Sequence, residues 1–381
     1  MTLVDHRYRA RPESLESVPA VARLLRRLGL GTFDPAHLTS YNGRNNNWSG
    51  LTTEGTQLFV KHLSGPLDDA RRRLTNILAF HELLRYTEQS IVRGPRCLGW
   101  SMEDVLVVFE WLPDTVTGAE RADSGAFGEE DAHRIGETIG ALHGLDPSGR
   151  VSLDPTPHAL PPVSGLNALS LEKHRTASGA ELRMWSILQQ DGELAEAIRR
   201  LRKPESDGVS RPVHGDFRLD QVLFARDAMY LLDFEELRRT DPARDIGAYV
   251  GEWLYRAVRK LAGPESPESD AASGAPGSMR AQAAGEPRGH GAVARATSEL
   301  ARCRPFIERF RAGYAARGDA AHDEALWIRS AGFAGWHLLD RVMARSAQRS
   351  VLTAGDRAAM GIARTLLLSP GAVTRTLGLE D

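Results

Sequence analysis

Between Val213 and Glu235 the sequence gathers side chains that could move a proton and hold a divalent cation. The run reads Val213-His214-Gly215-Asp216-Phe217-Arg218-Leu219-Asp220-Gln221-Val222-Leu223-Phe224, then Ala225 to Ala228, then Met229-Tyr230-Leu231-Leu232-Asp233-Phe234-Glu235. Two short apolar stretches around a polar turn predict a β-hairpin. If Phe224 faces Met229, then Gln221 faces Leu232, and Asp233 comes next. The open end of the hairpin would present a carboxamide and a carboxylate together, with Asp216 in the loop just before them. Gln221 and Asp233 offer the sparse shell of hard oxygen atoms that Mg²⁺ shares with phosphates and water. Asp216 stands where a carboxylate could accept a hydroxyl proton and orient the attacking oxygen. A lone aspartate in a turn is more often a cap. The ordered set HGD-x4-Q followed by DFE points to chemistry.

The elements that must position this set follow from periodicity. Val21, Leu24, Leu25 and Leu28 predict a first helix from Pro19, stopped by Gly29 and Gly31. A strand-rich block follows, with strands at Leu38 to Asn42, Trp48 to Thr53 and Gln57 to Leu63, and a turn at Glu54-Gly55. Residues 68 to 86 return to helical period through Leu74, Ile77 and Leu78. Val105 to Trp111 reads as a buried strand that ends in a linker. On strand Leu58 to Leu63, Phe59 and Lys61 share one face and Val60 takes the other. A lysine on a buried strand is costly unless paired. The remainder is mostly helical, with Asp245 placed to cap a helix running to Leu261. Residues 262–297 are rich in Ala, Gly, Pro, Ser and Glu, and read as a flexible surface insertion, either a plain loop or a lid. The expected organisation is a helical extension over 1–34, a nucleotide-binding N-lobe over 35–112, and a helical C-lobe over 113–381 that carries the hairpin at 213–235.

Composition excludes several classes. Across 381 residues, 48 Lys plus Arg against 50 Asp plus Glu give a net charge of -2, which disfavours a general nucleic-acid binder. Two cysteines, Cys97 and Cys303, exclude a disulfide scaffold and a Cys-rich metal site. No run of about 18 apolar residues spans a membrane, and the N-terminus lacks an apolar signal core. The expectation is a cytoplasmic globular protein with neither a nucleic-acid nor a membrane partner.

The stretch HGDFRLDQVLF…YLLDFEELRRTDPARDIGAY resembles the core of the aminoglycoside phosphotransferase and choline kinase-like family, over roughly residues 35–345. That resemblance implies an α+β bilobal protein-kinase-like fold, with a small mixed-sheet N-lobe and a large helical C-lobe. It implies transfer of a phosphoryl group from ATP or another NTP, with Mg²⁺, to an alcohol. It casts Asp216 as the catalytic-loop aspartate and His214 as the histidine that braces that loop. Gln221 takes the place of the family's magnesium-binding asparagine, and Asp233 that of the DFG aspartate. The Gln departs from the commonest pattern, and its extra methylene displaces the carbonyl oxygen by more than about 1 Å. Glu235 is then a holder of water or of a second metal, or a tie for a basic neighbour such as Arg218 or Arg244. Asp241 and Asp245 resemble the tail that supports the catalytic loop. Lys61 looks like the lysine that contacts the nucleotide phosphates, and Glu82 is its expected helix partner, ahead of Glu88. Gly43, Arg44, Asn45, Asn46 and Asn47 would form the loop over the phosphates, although this is neither a GxGxxG loop nor a Walker A motif. Phe109-Glu110-Trp111-Leu112 resembles the hinge, where the backbone of Glu110 and Leu112 would meet the adenine edge.

The acceptor is less legible. Arg218, Tyr249, Trp253, Arg256, Trp336 and His337 are candidate walls of its pocket, and Arg218 is grouped with the catalytic residues. The pattern GRNNNW…TTEG…LFVK is similar to kinase-like proteins of class V lanthipeptide and thioamitide (RiPP) biosynthesis. That second resemblance implies a precursor peptide phosphorylated on Ser or Thr and a separate lyase partner. Three readings therefore stand: a kinase for a hydroxyl-bearing small molecule, a precursor-peptide kinase, and a non-catalytic kinase-fold binding protein.

Overall fold

The computed structural model describes residues 14–41, 43–87, 91–146, 149–156, 158, 161–203, 210–262, 288–317 and 323–380. The chain forms two units. The first comprises residues 1–126, 145–155 and 214–239, and the second 127–144, 156–213 and 240–381.

The first unit is built on an antiparallel sheet of β1 (Phe33–Tyr41), β2 (Asn46–Thr52), β3 (Gln57–His62), β4 (Cys97–Ser101) and β5 (Leu106–Glu110), in the order β1-β2-β3-β5-β4. The β2–β3 turn needs a left-handed residue, which Gly55 supplies at φ 77°. Alternation along the strands then sorts the two faces. Leu58, Val60, Leu106 and Val108 form one core with Trp48 and with Val21, Leu24 and Leu25 of α1 (Ala20–Arg27). Part of the segment expected as an extension thus closes one side of the sheet. The opposite face, with Leu63, Val105 and Val107, is covered by Ala70, Leu74 and Ile77 of α2 (Leu67–Arg85). Each such large side chain contributes about 1.5–3 kcal/mol on burial. Lys61 pairs with Val107 in register and alternates with Val60, so it belongs to the α2 face.

After β6 (Val116–Thr117), α3 (Gly118–Asp123) is closed by a reciprocal capping box between Thr117 and Glu120. The expected hairpin is formed by β8 (Val222–Phe224) and β9 (Met229–Leu231), with Phe224 opposite Met229 as its sequence predicts. The hairpin groups with the sheet unit rather than with the helices that surround it in sequence.

The second unit holds β7 (Arg211–Val213) and the helices α4 (Glu129–His143), α5 (Leu171–Thr176), α6 (Gly179–Gln190), α7 (Gly192–Arg202), α8 (Ala243–Ala262), α9 (Arg288–Ala315), α10 (Glu324–Ser346), α11 (Ala354–Leu368) and α12 (Pro370–Leu377). Helices α4 and α9 touch through backbone. A Cβ on Gly136 would collide with the Phe310 carbonyl, and one on Gly313 with the His133 carbonyl. Of the expected 262–297 insertion, residues 263–287 lie outside the described residues, and helix is present from Arg288. No helix among the described residues is long and apolar enough to cross a membrane.

Candidate active site

His214 is fully buried, and its ring Nε2 reaches the Leu232 carbonyl at 2.7 Å, which ties the loop to the far strand of the hairpin. The ring also packs on Phe217 and Phe234. Gly215 then turns the chain at φ 86°, a conformation that leaves Asp216 at the start of the next segment. One oxygen of Asp216, Oδ2, accepts from Arg218 Nη1 at 2.8 Å and from Gln221 Nε2 at 3.3 Å. The Asp216 side chain remains 39% exposed, which a group that meets an incoming substrate requires. Arg218 also donates to Asp220 at 3.0 Å. It therefore serves Asp216 and Asp220, not Glu235.

The hairpin register delivers Gln221 as expected: its backbone carbonyl accepts from Leu232 N at 2.9 Å. Its side chain is buried, and Oε1 has no hydrogen-bond partner. A buried amide oxygen left unpaired is expensive, and this one is an acceptor suited to a cation. Asp233 adopts a left-handed conformation, φ 66° and ψ 50°. Its carboxylate is ion-paired with Lys61. Among the described residues no group of three or more His, Cys, Asp or Glu could hold a metal by itself. One amide oxygen and one carboxylate instead suit a divalent ion that shares its shell with phosphate and water, so Gln221 and Asp233 fit such an ion.

Glu235 does not fit that role. Its Oε2 lies 3.1 Å from Lys61 Nζ, accepts from Asn45 Nδ2 at 2.8 Å and from Arg73 Nη1 at 3.4 Å, while Arg44 approaches Oε1 at 3.6 Å. Burial alone would raise its pKa, but Lys61, Arg73 and Arg44 together pull it down to about 2. A carboxylate already serving three cations has little capacity for a metal. The basic neighbour is also neither of those expected: Arg244 lies over the Phe333 ring in the second unit. For Lys61, burial opposes the charged form, yet Asp233 and Glu235 outweigh it and hold the ammonium above the ordinary lysine pKa.

Arg73 was not anticipated. It is fully buried on α2 and donates to Asp69 at 3.0 Å, to Asn45 Oδ1 at 2.9 Å, to Glu235 and to the Ser64 carbonyl. Its spacing was informative: Arg73, Ile77 and Phe80 fall at i, i+4 and i+7, so the arginine lies on the buried face. Two turns of the same helix hold the Asp233–Glu235 segment. Asn76 Nδ2 donates to the Glu235 carbonyl at 2.9 Å, and Phe80 stacks on Phe234 at 3.4 Å between centroids.

Several expected nucleotide contacts are corrected. Glu82 is not the partner of Lys61. It pairs with Arg85 at 3.2 Å and is 39% exposed, because position 82 lies away from the buried stripe of α2. The run Gly43 to Asn47 is not one loop: Asn46 and Asn47 already belong to β2, opposite His62 and Lys61. Asn45 is buried, and its amide is consumed by Glu235, Arg73 and Ser64 N. Asn46 is likewise buried, with its amide on His62, and Asn47 donates to the Asn45 carbonyl. Arg44 pairs with Asp69, Glu235 and Glu236. At Gly43 a Cβ would meet nothing closer than 3.8 Å, so the bend itself does not demand glycine. The Glu110 N–H is spent on the Arg96 carbonyl, and its carboxylate folds back on Arg96. The Leu112 N–H finds no protein acceptor among the described residues.

In the second unit, Asp245 is not the cap of α8. Asp241 accepts from Ala243 N at 3.0 Å and pairs with Arg329, while the fully buried Asp245 meets His143 at 3.0 Å. Tyr249, Trp253, Trp336 and His337 are all buried, with Tyr249 stacked on Phe310. They are core residues first.

A model of the phosphotransferase enzyme family matches residues 42–325. Similar solved structures include an amicoumacin kinase in complex with AMP-PNP, Ca²⁺ and Ami, at 15% identity over 94% of each chain and a TM-score of 0.56. A choline/ethanolamine kinase family protein from Mesorhizobium loti is 13% identical over 95% of this chain and 99% of the other, with a TM-score of 0.52. Choline kinase LicA from Streptococcus pneumoniae is 14% identical over 91% and 97%, with a TM-score of 0.51. These likenesses carry the α+β kinase-like fold. No curated protein matches the sequence.

Proposed function

This chain belongs to the phosphotransferase enzyme family, and on that premise we propose that it transfers the γ-phosphoryl group of ATP, bound with Mg²⁺, to a hydroxyl group of a small molecule or of a peptide natural-product precursor. The observation that carries the reading is the Asp216–Gln221 pair. One face of the Gln221 amide orients the Asp216 carboxylate, and the other leaves a buried oxygen with no protein partner. A divalent cation held by Gln221 Oε1 and Asp233 would supply charge neutralisation at the phosphates.

The protein's own groups account for the rest. Arg218 and Gln221 occupy Oδ2 of Asp216, which fixes the carboxylate and leaves Oδ1 for the acceptor hydroxyl. A hydrogen bond to that atom aligns the attacking oxygen, and Oδ1 receives its proton as the new P–O bond forms and the bond from the γ-phosphorus to the β–γ bridging oxygen breaks, releasing ADP. His214 keeps the loop in register through the Leu232 carbonyl. Lys61 turns its ammonium to the phosphates, and Leu112 N–H meets the purine edge. The bend at Gly43 to Asn45 lines the phosphate side without offering the side chains of Arg44 or Asn45, both already paired.

The test is a screen of alcohol-bearing small molecules and Ser/Thr peptides with ATP and Mg²⁺, read as the mass gain of one phosphoryl group. The wild type should modify at least one class. The Asp216→Ala protein should bind AMP-PNP as the wild type does and transfer nothing. Nucleotide binding by both proteins with transfer by neither would overturn the proposal in favour of a binding protein.

A further inference from the structure

We infer that Glu235, rather than a glutamate of α2, is the carboxylate that orients Lys61 toward the nucleotide, and that Arg73 and Asn45 hold Glu235 for that task; the inference rests on the phosphotransferase reading above. A single oxygen, Glu235 Oε2, gathers a strand lysine, a bend carboxamide and a helix guanidinium at 3.1, 2.8 and 3.4 Å. All four residues are buried, Arg73 completely. An arginine shut off from water is tolerated only when its donors are satisfied. Here those donors go to Asp69, Asn45, Ser64 and Glu235, and so to the surroundings of Lys61.

The two carboxylates on Lys61 differ in freedom. Among the described residues the Asp233 carboxylate pairs with Lys61 alone, and its side chain is 29% exposed, so it can turn to a cation when one arrives. Glu235 is fixed at its side chain by Asn45 and Arg73, and at its backbone by Asn76 and by the Phe80–Phe234 stack. It therefore stays with Lys61 throughout. The charge pattern is the reverse of the one expected from Glu82: the helix supplies the cation, and the turn after the hairpin supplies the anion. Glu235 and Arg73 are positioning residues that act through Lys61.

The test compares Glu235→Gln, which keeps size and an acceptor for Asn45, with Arg73→Met and the charge-restoring Arg73→Lys. Each is made in the wild-type and Lys61→Ala backgrounds. Kd for AMP-PNP is measured with Mg²⁺ and with EDTA, beside kcat and KM for slow ATP hydrolysis, which needs no acceptor, and the thermal midpoint. Glu235→Gln and Arg73→Met should weaken AMP-PNP about tenfold with or without metal and lower kcat. Arg73→Lys should recover most of the loss. In the Lys61→Ala background the same changes should shift Kd by less than about twofold. Additive losses in that background would overturn the inference, as would a lowered midpoint with wild-type Kd and kcat. A Glu235→Gln defect that vanishes in EDTA would return Glu235 to the metal and overturn it too. Should Arg73→Met fail to fold, the Glu235→Gln cycle decides alone. Failure of the wild type to bind nucleotide sinks the phosphotransferase reading and this inference together, whereas normal binding in the variants sinks this inference only.

Discussion

Asp233 carries backbone strain at the site. A non-glycine residue in the left-handed region costs roughly 1 kcal/mol, and Asp233 sits there at φ 66°. That position lets a carboxylate, not a glycine, follow the hairpin directly. Asp233→Gly should therefore separate stability from activity. The variant is expected to melt at or above the wild-type temperature while losing Mg²⁺-nucleotide binding and about 100-fold or more in kcat. Calorimetric melting beside nucleotide titration checks both, and full activity in that variant would remove Asp233 from the metal. The placement of Gln221 opposite Leu232 was readable because one turn sets the register: Phe224 opposite Met229 fixes the pairs that follow. The environment of Glu235 was not, since its partners Asn45, Lys61 and Arg73 arrive from three remote elements; spacing along α2 puts Arg73 on the buried face but does not name its partner.

Helix α2 shows what periodicity sees and misses. The apolar residues Leu74 and Ile77 predict its buried face, and both lie there. The same face also carries Arg73 and Asn76, polar residues that an apolar pattern passes over. A glutamate on this helix is what the resemblance implies, a criterion blind to which side of the helix position 82 occupies. Glu82→Ala should accordingly leave kcat/KM unchanged and stability within about 0.5 kcal/mol, as for an exposed helix pair. A large fall in kcat/KM in that variant would restore the sequence-based pairing. Phe80→Ala should behave oppositely. It removes a ring that is 1% exposed and stacked on Phe234, at a cost of about 3–5 kcal/mol. Because Phe234 lies between Asp233 and Glu235, nucleotide affinity should fall with stability. Denaturant unfolding and AMP-PNP titration of the same preparation would show the two losses together; lost stability with wild-type affinity would uncouple α2 from the site.

At the scale of the whole molecule, a net charge of -2 conceals how unevenly the carboxylates contribute. In the helical unit Glu252 is nearly buried and joins Arg256 at 3.0 Å and His337 at 3.4 Å, linking α8 to α10. Burial alone would raise its pKa; the hydrogen bond to His337 and the charges of His337, Arg256 and Arg341 lower it to about 2 from 4.5. A group whose pKa is depressed on folding stabilises the fold above its unfolded value and loses that contribution as pH falls toward the folded one. The window therefore runs from about pH 4.5 down to about pH 2. Above that window the contribution is on the order of a few kcal/mol, by linkage at about 1.36 kcal/mol per unit. The sequence offered Trp253, Trp336 and His337 as a pocket wall, and nothing in it paired Glu252 with a histidine 85 residues later. Glu252→Gln should destabilise the protein at pH 7, and the gap to wild type should narrow by roughly 1 kcal/mol by pH 4, since the unfolded carboxylate is by then largely protonated. Urea unfolding of both proteins across that range measures it. A gap that stays constant with pH would mean that the Glu252 carboxylate is not held ionised by its buried neighbours.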